Sequence, residues 1–452
     1  MQSIGKNQIG SDAILHGPCL STLLRFALPI VLGNLLQHLY SLVDAIVVGR
    51  YLGDLPLAGI SVAAPMMDIL TALIIGGTIG VGVLVGQQVG SRDWSGLTAT
   101  LSTALLGGLG IVVVLSVLGI VLGRPILLAQ GTQKNVCDQA MIYLVIVFAG
   151  MVFSFLYNYY ATILRSYGNS RVPFFVLLLS AVLNIALDVL LVGVLHTGIW
   201  GVAVATVLCQ VVSAGCCCLY IYKKCPPLCL CKGQWKFSAS VGRVILSYAW
   251  AGALQQAVVC IGRFIIQGML SGLGTETVTG YNMGMRTEQF LFCFSQGISA
   301  SMVVCLSQNK GAGNPRRMQK FYRCGILCEL TLAILLAIVC TCWPQQLISV
   351  FSHNPDVVAA GSLYIGTMAW FYVAAFLGEI CQSFFRGIGR LQVTMVASLG
   401  QVALRVFLSW LLIPVLGVRG ICLSIIVGWG LLVLIEGGFS LRIASRLCPK
   451  DA

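Results

Sequence analysis

Long apolar segments recur along the whole chain, and no other feature restricts its fold as strongly. Each is about 20 residues or longer, the length of a helix that crosses a hydrocarbon core about 30 Å thick. Of the 452 residues, 58% are hydrophobic and only 9% are charged, which a water-soluble domain of this size could not tolerate on its surface. The chain is therefore predicted to be an all-α integral membrane protein. The twelve predicted transmembrane helices span 23–48, 57–87, 96–122, 138–164, 172–195, 199–222, 241–270, 280–308, 323–345, 359–385, 391–414 and 418–441.

The positions of the basic residues predict the orientation of these helices. Of the 27 Lys and Arg, 20 fall in the two tails, in every second loop or at the adjoining ends of spans, four fall on the opposite side, and three lie deep within spans. Those three are Arg263, Arg286 and Arg405. Because positively charged loops resist translocation, both termini are predicted to be cytoplasmic in a multi-pass protein of the cytoplasmic membrane. The net charge of +13 is then a consequence of topology, and no nucleic-acid partner is predicted.

The chain repeats itself once, with an offset of 221 residues. Glycines and polar residues coincide at this offset, among them Gly59 and Gly280, Gly76 and Gly297, Arg165 and Arg386, and Gly168 and Gly389. Because each copy contains six spans, an even number, both copies enter the membrane from the same side. This parallel repeat is typical of secondary transporters in which two pseudo-symmetric six-helix lobes enclose a central substrate cavity.

The domain boundaries follow from this repeat. The predicted order is a cytoplasmic N-terminal tail (1–20), an N-lobe with helices one to six (21–222), a cytoplasmic linker (223–240), a C-lobe with helices seven to twelve (241–442) and a cytoplasmic tail (443–452). The linker contains most of the basic, proline-containing stretch "YKKCPPLCLCKGQWKFS".

Two acidic residues lie inside spans of the N-lobe, and neither has a counterpart in the repeat. Asp44 in "LVDAIVVGRYLG" and Asp188 in "LNIALDVLLVG" correspond to an Ile and a Ser, and Asn184 lies one helical turn before Asp188 on the same face. Apart from Arg25 at the cytoplasmic start of the first span, the spans of this lobe contain no Lys or Arg. A buried carboxylate without a basic partner must take up a proton or bind a cation, so Asp44 is predicted to belong to a site for a coupling ion.

The spans of the C-lobe hold a different set of polar residues. Arg286 and Glu288 lie in "GMRTEQF", and Glu379 lies in "LGEICQ". Internal neutralisation of the two acids by arginines and contact with a cationic substrate both stay open, with Glu288 the more favoured of the two acids for substrate contact. Asp68, Glu329 and Glu436 are weaker candidates for a functional role.

Several motifs together resemble the multidrug and toxic compound extrusion (MATE) family. The first helix reads "LPIVLGNLLQHLYSLVDAIVVGRYLG", and the turns "LRSYGNSR" and "FRGIGR" follow helices four and ten. Helices five and six carry "LNIALDVLLV" and "WGVAVATVLCQ". The resemblance covers nearly the whole chain and implies twelve helices in two lobes.

The resemblance also implies roles for individual residues. The family's first-lobe pocket for H+ or Na+ corresponds here to Asp44, Asn184, Asp188 and Thr206, with Tyr143 as a weaker match. The same oxygen-bearing residues would be metal ligands if the coupling ion is Na+. Pro29 stands where the family bends helix one, and Glu288 matches an acid that takes part in the transport of cationic drugs. Arg286 and Glu379 are the other candidates for substrate contact, although helix seven carries Arg263 in place of the acid found in some members.

The predicted function is cation-coupled antiport of amphipathic organic cations, by a protein that is not an enzyme. No cofactor is expected beyond the coupling ion, and the expected partners are small organic cations and membrane lipid, with the protein acting as a monomer. One alternative is a lipid-linked oligosaccharide flippase of the same superfamily, although such a protein is expected to place several basic residues in its cavity. A membrane-bound transferase is less favoured, because its chemistry needs clustered loop carboxylates for Mg²⁺.

Overall fold

The computed structural model describes residues 9–446 apart from Lys232, and these residues contain helices and no strand. Eleven helices are long and apolar enough to cross a membrane, and a bent pair of shorter helices provides a twelfth span. The prediction of an all-α, twelve-span membrane protein is confirmed. The outer parts of the predicted tails, 1–8 and 447–452, lie outside the described residues.

The described residues form two compact units. Unit 1 comprises residues 9–12 and Leu32–Ala253, and unit 2 comprises Ala13–Val31 and residues 254–446. The division therefore falls inside two long helices, α2 (Cys19–Leu52) and α9 (Ala239–Leu270), each of which contributes residues to both units. The predicted lobe limits, 21–222 and 241–442, stay predictions.

Unit 1 is built from helices that pack around α3. Its complete helices are α3 (Asp54–Ser91), α4 (Trp94–Ala129), α5 (Lys134–Ala149), α6 (Met151–Ser166), α7 (Arg171–Asp188) and α8 (Ile199–Lys224). α3 packs against α4, α5 and α6, and α8 packs against α5, α6 and α7. The core between them is formed by fully buried side chains such as Leu101, Leu144 and Phe148.

The predicted span 138–164 is the bent pair, α5 and α6, which meet at Gly150 with an angle of 47°. A Cβ atom at Gly150 would lie 2.7 Å from Cγ1 of Val207, so only glycine lets the bend approach α8 this closely. Tyr143 lies on α5, the half of the span before the bend.

Unit 2 has the corresponding arrangement around its own longest helix. Its complete helices are α10 (Thr275–Gly311), α11 (Pro315–Cys342), α12 (Pro344–Ser349), α13 (Pro355–Met368), α14 (Tyr372–Gly387), α15 (Leu391–Leu416), α16 (Val418–Leu432) and α17 (Gly438–Arg446). The short N-terminal helix α1 (Ile9–His16) precedes α2 and is divided between the two units after Asp12. α10 packs against α11, α13 and α14. Tyr364 and Tyr372 are completely buried in its core.

Two glycines related by the 221-residue offset explain how each unit accommodates the first half of a shared helix. In unit 1, a Cβ atom at Gly76 of α3 would lie 2.6 Å from the carbonyl carbon of Gly252 in α9. In unit 2, a Cβ atom at Gly297 of α10 would lie 3.0 Å from the backbone nitrogen of Val31 in α2. The repeated glycines therefore permit two close helix crossings. In unit 1, α3 crosses the first half of α9, and in unit 2, α10 crosses the first half of α2.

The repeated turns have the same backbone conformation. Gly168 in "LRSYG" has φ 102° and Gly389 in "FRGIG" has φ 74°, values that side-chain-bearing residues rarely adopt. Each follows the C-terminus of a helix, α6 and α14, and reverses the chain into the next one. These turns account for the glycines in the repeated motif.

Candidate functional site

The carboxyl groups of Asp44 and Asp188 lie within hydrogen-bonding reach of each other in unit 1. Asp188 is only 1% exposed, and neither of its carboxyl oxygens has a hydrogen-bond donor among the described residues. Oδ1 of Asp44 is also buried without a partner in that part of the chain. Two carboxylates cannot hydrogen-bond each other, so this contact requires a shared proton or a cation between them.

The local structure of α7 places its polar residues at this point. Asn184 and Asp188 are separated by four residues and face the same side, and Asn184 is 4% exposed with its Nδ2 lacking a partner among the described residues. α7 ends at Asp188, and the chain continues as a π-helix over Val189–Val194. π-Helical turns are frequent at functional sites.

Thr206 and Tyr143 complete the predicted set from two further helices. The Thr206 hydroxyl on α8 donates to the carbonyl oxygen of Val202 at 3.0 Å, which leaves its lone pairs available as acceptors. The Tyr143 side chain on α5 lies beside Thr206 and within electrostatic range of both aspartates. The structure therefore brings Asp44, Asp188, Thr206 and Tyr143 together, with Asn184 on the same helix face as Asp188.

Two further neighbours were not predicted from the sequence. Tyr40 lies one turn before Asp44 on α2 and within electrostatic range of it. Cys209 lies on α8 within electrostatic range of both aspartates. Tyr40 could have been identified from its four-residue spacing to Asp44, which places both residues on the same face of α2. No signal in the sequence identified Cys209, because apolar helices contain many cysteines as ordinary small residues.

This cluster presents carboxyl, amide and hydroxyl groups without a compensating base. In the described part of the chain, no lysine or arginine contributes to the electrostatic environment of either carboxyl. The buried carboxyl oxygens without partners are acceptors, and a proton or a small cation satisfies them. The arrangement can thus change its charge by one unit when such an ion binds or leaves.

Glu288, the favoured substrate candidate, lies in unit 2 and receives two hydrogen bonds from tyrosines. The hydroxyl groups of Tyr364 and Tyr372 lie 2.8 and 3.3 Å from its Oε2 atom. Arg263 and Arg405 are within electrostatic range of this carboxyl group, which is largely buried. Rings of Phe292, Trp429 and Tyr372 pack against one another next to it, with centroid separations of 5.9 to 6.1 Å.

The structure does not bring Arg286 and Glu379 together with Glu288. The Arg286 side chain is exposed, whereas Glu288, two residues later on the same helix, is buried. Glu379 on α14 instead forms an ion pair with Arg386 at 3.5 Å and accepts a hydrogen bond from Ser299 at 3.1 Å. Of the three predicted substrate residues, Glu288 alone lies within the cluster formed by Tyr364, Tyr372, Phe292 and Trp429.

Pro29 lies inside α2, close to the point where this helix passes from unit 2 to unit 1. Because proline has no N–H group, it removes one intrahelical hydrogen bond and weakens the helix there. Its position is compatible with the predicted hinge, which stays a prediction.

The chain is similar to known proteins over nearly all of its length. A probable multidrug resistance protein of Bacillus subtilis, YpnP, is 27% identical over 413 residues, covering 91% of this chain and 92% of the relative. An FAD transporter of Shewanella oneidensis is 26% identical over 364 residues, covering 78% of each protein. A MATE crystal structure in the bent conformation has a TM-score of 0.91 at 20% identity and covers 98% of both chains.

The sequence model of the MatE family matches two segments, residues 29–190 and 252–411. The two matches begin at nearly corresponding positions of the repeat, in α2 and α9, and together cover more than half of the chain. The chain therefore belongs to the MatE family of membrane transporters, as its motifs predicted, and is not an enzyme.

Proposed function

We propose that this protein is a cation-coupled antiporter that exports amphipathic organic cations across the cytoplasmic membrane. The observation that carries the proposal is the buried contact between Asp44 and Asp188, which needs a proton or a cation. The names of relatives such as the probable multidrug resistance protein YpnP support small drug-like molecules as cargo. The protein is proposed to act as a monomer with both termini in the cytoplasm.

In this proposal the coupling ion is H+ or Na+, bound by Asp44 and Asp188 with help from Asn184, Thr206 and Tyr143. A proton would join the two carboxyl groups directly, and Na+ would use the same carboxyl, amide and hydroxyl oxygens as ligands. In either case the ion neutralises negative charge that is costly to hold in an apolar environment. The loaded and unloaded forms should therefore favour different conformations of the helices around the site.

α2 is suited to transmit such a change along its length. It carries Asp44 in unit 1, whereas Pro29 and the residues before it belong to unit 2. A helix weakened at Pro29 can bend there without losing further hydrogen bonds. Binding at Asp44 would thus change the direction of the first half of α2.

The charged part of the cargo is proposed to interact with the region around Glu288. A carboxylate held by the tyrosines Tyr364 and Tyr372 supplies negative charge, and the rings of Phe292 and Trp429 supply apolar surface and aromatic faces. Lipophilic organic cations bind favourably to such surfaces through burial and cation–π contact. The flippase alternative gains no support from the relatives described above.

The test is transport of a fluorescent organic cation into everted membrane vesicles under an imposed pH gradient or an imposed Na+ gradient. We expect uptake to depend on one of the two gradients, and the effective gradient identifies the coupling ion. Uptake that responds to neither gradient would contradict cation coupling. FAD serves as an anionic comparison, and transport of FAD without transport of the cation would contradict the proposed cargo.

A further inference from the structure

Unit 2 contains a second group of acidic residues, organised around a single arginine. Glu379 on α14 forms its ion pair with Arg386 at 3.5 Å, and Arg386 also donates to Oε1 of Gln382 at 2.8 Å. The Glu379 side chain is 25% exposed and that of Arg386 is 15% exposed. This ion pair is therefore internally satisfied and retains some access from outside.

Two further glutamates near this pair have no such partners. Glu329 on α11 and Glu436, in the π-helical segment Val433–Gly437 after α16, are both completely buried. Among the described residues, no hydrogen-bond partner reaches either oxygen of either carboxyl group. Both glutamates lie within electrostatic range of Glu379, and Glu436 is also within range of Arg386.

Ser295 on α10 is completely buried beside Glu329. Its hydroxyl group can donate to an ionised carboxylate or accept from a neutral carboxylic acid, so it is compatible with a proton on Glu329 and supplies no compensating positive charge.

The charge of the group favours protons on the two unpartnered acids. The group holds three carboxyl groups and one guanidinium group, so full ionisation would leave two negative charges uncompensated in the interior of a membrane protein. Protons on the two unpartnered acids would make the group neutral, with the single arginine balanced by Glu379.

We propose that Glu329 and Glu436 each carry a proton and form a proton-storage site in unit 2, separate from the Asp44–Asp188 pair. Glu379, the partly exposed member, is the carboxylate through which these protons exchange with the surroundings. Loading is simple protonation of a carboxylate oxygen, and release returns the same proton to a water molecule or another acceptor. The titratable or charged groups around Glu329 are Cys328 and Glu379, and those around Glu436 are Tyr322, Glu379, Cys381 and Arg386.

The proposal is tested by infrared spectroscopy of the purified full-length protein at neutral pH, in the C=O stretching band of protonated carboxyl groups. We expect Glu329→Gln and Glu436→Gln each to remove part of this band. Glu276→Gln, which changes an exposed glutamate at the start of α10, should leave it unchanged. If the band of either buried-site variant equals that of the parent protein, that glutamate is ionised and the proposal is wrong. The measurement does not use transport, so its result is independent of the proposed antiport.

A second measurement covers the case in which a substitution prevents folding. Glu288→Gln protein is prepared with glutamate labelled with ¹³C at its side-chain carboxyl group, while aspartate stays unlabelled. The isotope should shift part of the protonated-carboxyl band, since Glu329 and Glu436 remain in this protein. A band that does not shift would show that neither glutamate is protonated and would overturn the proposal.

Discussion

The hydroxyl group of Tyr364 donates a hydrogen bond to Oε2 of Glu288 at 2.8 Å, and Tyr372 approaches the same oxygen at 3.3 Å. Both tyrosines are fully buried, so this contact connects α10 with α13 and α14 inside unit 2. A glutamine at position 288 can still accept these hydrogen bonds through its amide oxygen. The charge of Glu288 can therefore be removed while its acceptor is kept.

Replacement of Glu288 by Gln should reduce export of organic cations more than export of neutral compounds, because the carboxylate attracts positive charge. Protein abundance should stay close to that of the parent, since the tyrosine donors keep an acceptor. The experiment measures expression and export of one cationic and one neutral compound. If Glu288 instead neutralises Arg263 or Arg405, the unpaired charge would cost about 3 to 5 kcal/mol and lower abundance and all export alike.

Replacement of Tyr364 by Phe is the matched structural variant for this experiment. It removes one hydrogen bond to a charged group, worth about 1.5 to 3 kcal/mol, and leaves the charge of Glu288 in place. We expect a lower melting temperature with the preference for cations retained. Loss of that preference in Tyr364→Phe would show that geometry at Glu288, more than its charge, selects the cargo.

Replacement of Asp188 by Asn should abolish gradient-driven export and leave the protein folded. Asparagine has nearly the same shape but cannot titrate or carry negative charge, so the site can no longer exchange a coupling ion. The variant should be at least as thermally stable as the parent, because a buried group that needs neutralisation has been made neutral. Export and melting temperature are measured together.

Asp54 provides the control for this substitution. It is an exposed aspartate at the start of α3 in the same unit, and its replacement by Asn should leave export unchanged. Normal export by Asp188→Asn would remove the basis for an ion site at the Asp44–Asp188 pair.

Replacement of Pro29 by Ala should stabilise α2 and slow transport. Alanine restores the N–H group and is favoured over proline inside a helix by up to about 3 kcal/mol, which opposes bending. Pro125 lies inside α4 away from the unit boundary, so Pro125→Ala is the matched control that gains the same hydrogen bond. Thermal unfolding and turnover are compared for both variants, and equal turnover in Pro29→Ala and the parent would contradict the hinge.

Cys231 offers a direct measurement of orientation. It is exposed in the segment between α8 and α9, which is predicted to be cytoplasmic. A membrane-impermeant thiol reagent should label it in everted vesicles and leave it unlabelled in intact cells. Cys231→Ser identifies the signal that belongs to this residue, and labelling of Cys231 from outside intact cells would reverse the predicted topology.

Asp93 should make stability depend on pH through its role at the start of α4. Its carboxylate accepts hydrogen bonds from the backbone N–H of Gly96 at 2.9 Å and the hydroxyl of Ser95 at 2.8 Å, which hold the pKa of Asp93 below its ordinary value. The stabilisation is therefore present at neutral pH and is lost as the pH falls through the lowered pKa. Asp93→Ala should cost about 1 kcal/mol at pH 7, with the difference from the parent shrinking below about pH 4.

Asp93→Asn separates the charge from the cap itself. Asparagine also caps helices well but does not titrate, so its difference from the parent should stay small at neutral pH. Melting temperatures across the pH range check both variants. A pH-independent loss in Asp93→Ala would assign the effect to the hydrogen bonds alone.

The sequence by itself determined the class of fold and most of the residues of the candidate ion site. Apolar length and the 221-residue offset are properties of the linear chain, because the bilayer imposes a fixed span on every helix. The spacing of Asn184 and Asp188 likewise places them on one face of any helix. Only the tertiary structure decided that Asp188 meets Asp44, since the rotation of α7 relative to α2 depends on packing between distant segments.

The sequence likewise could not predict where α2 and α9 divide between the two units, or which groups surround the acidic residues of unit 2. Nothing in the sequence of α2 or α9 marks where the helix leaves one unit for the other, because each is one continuous candidate span across the boundary. The crossings at Gly76 and Gly297 become visible only when the backbones that approach them are known. Glu329 and Glu436 were weak candidates in the sequence, and they became important because packing buries them without partners near Glu379 and Arg386. The sequence shows that an acid in an apolar helix is energetically costly, but only the fold decides which groups surround that acid.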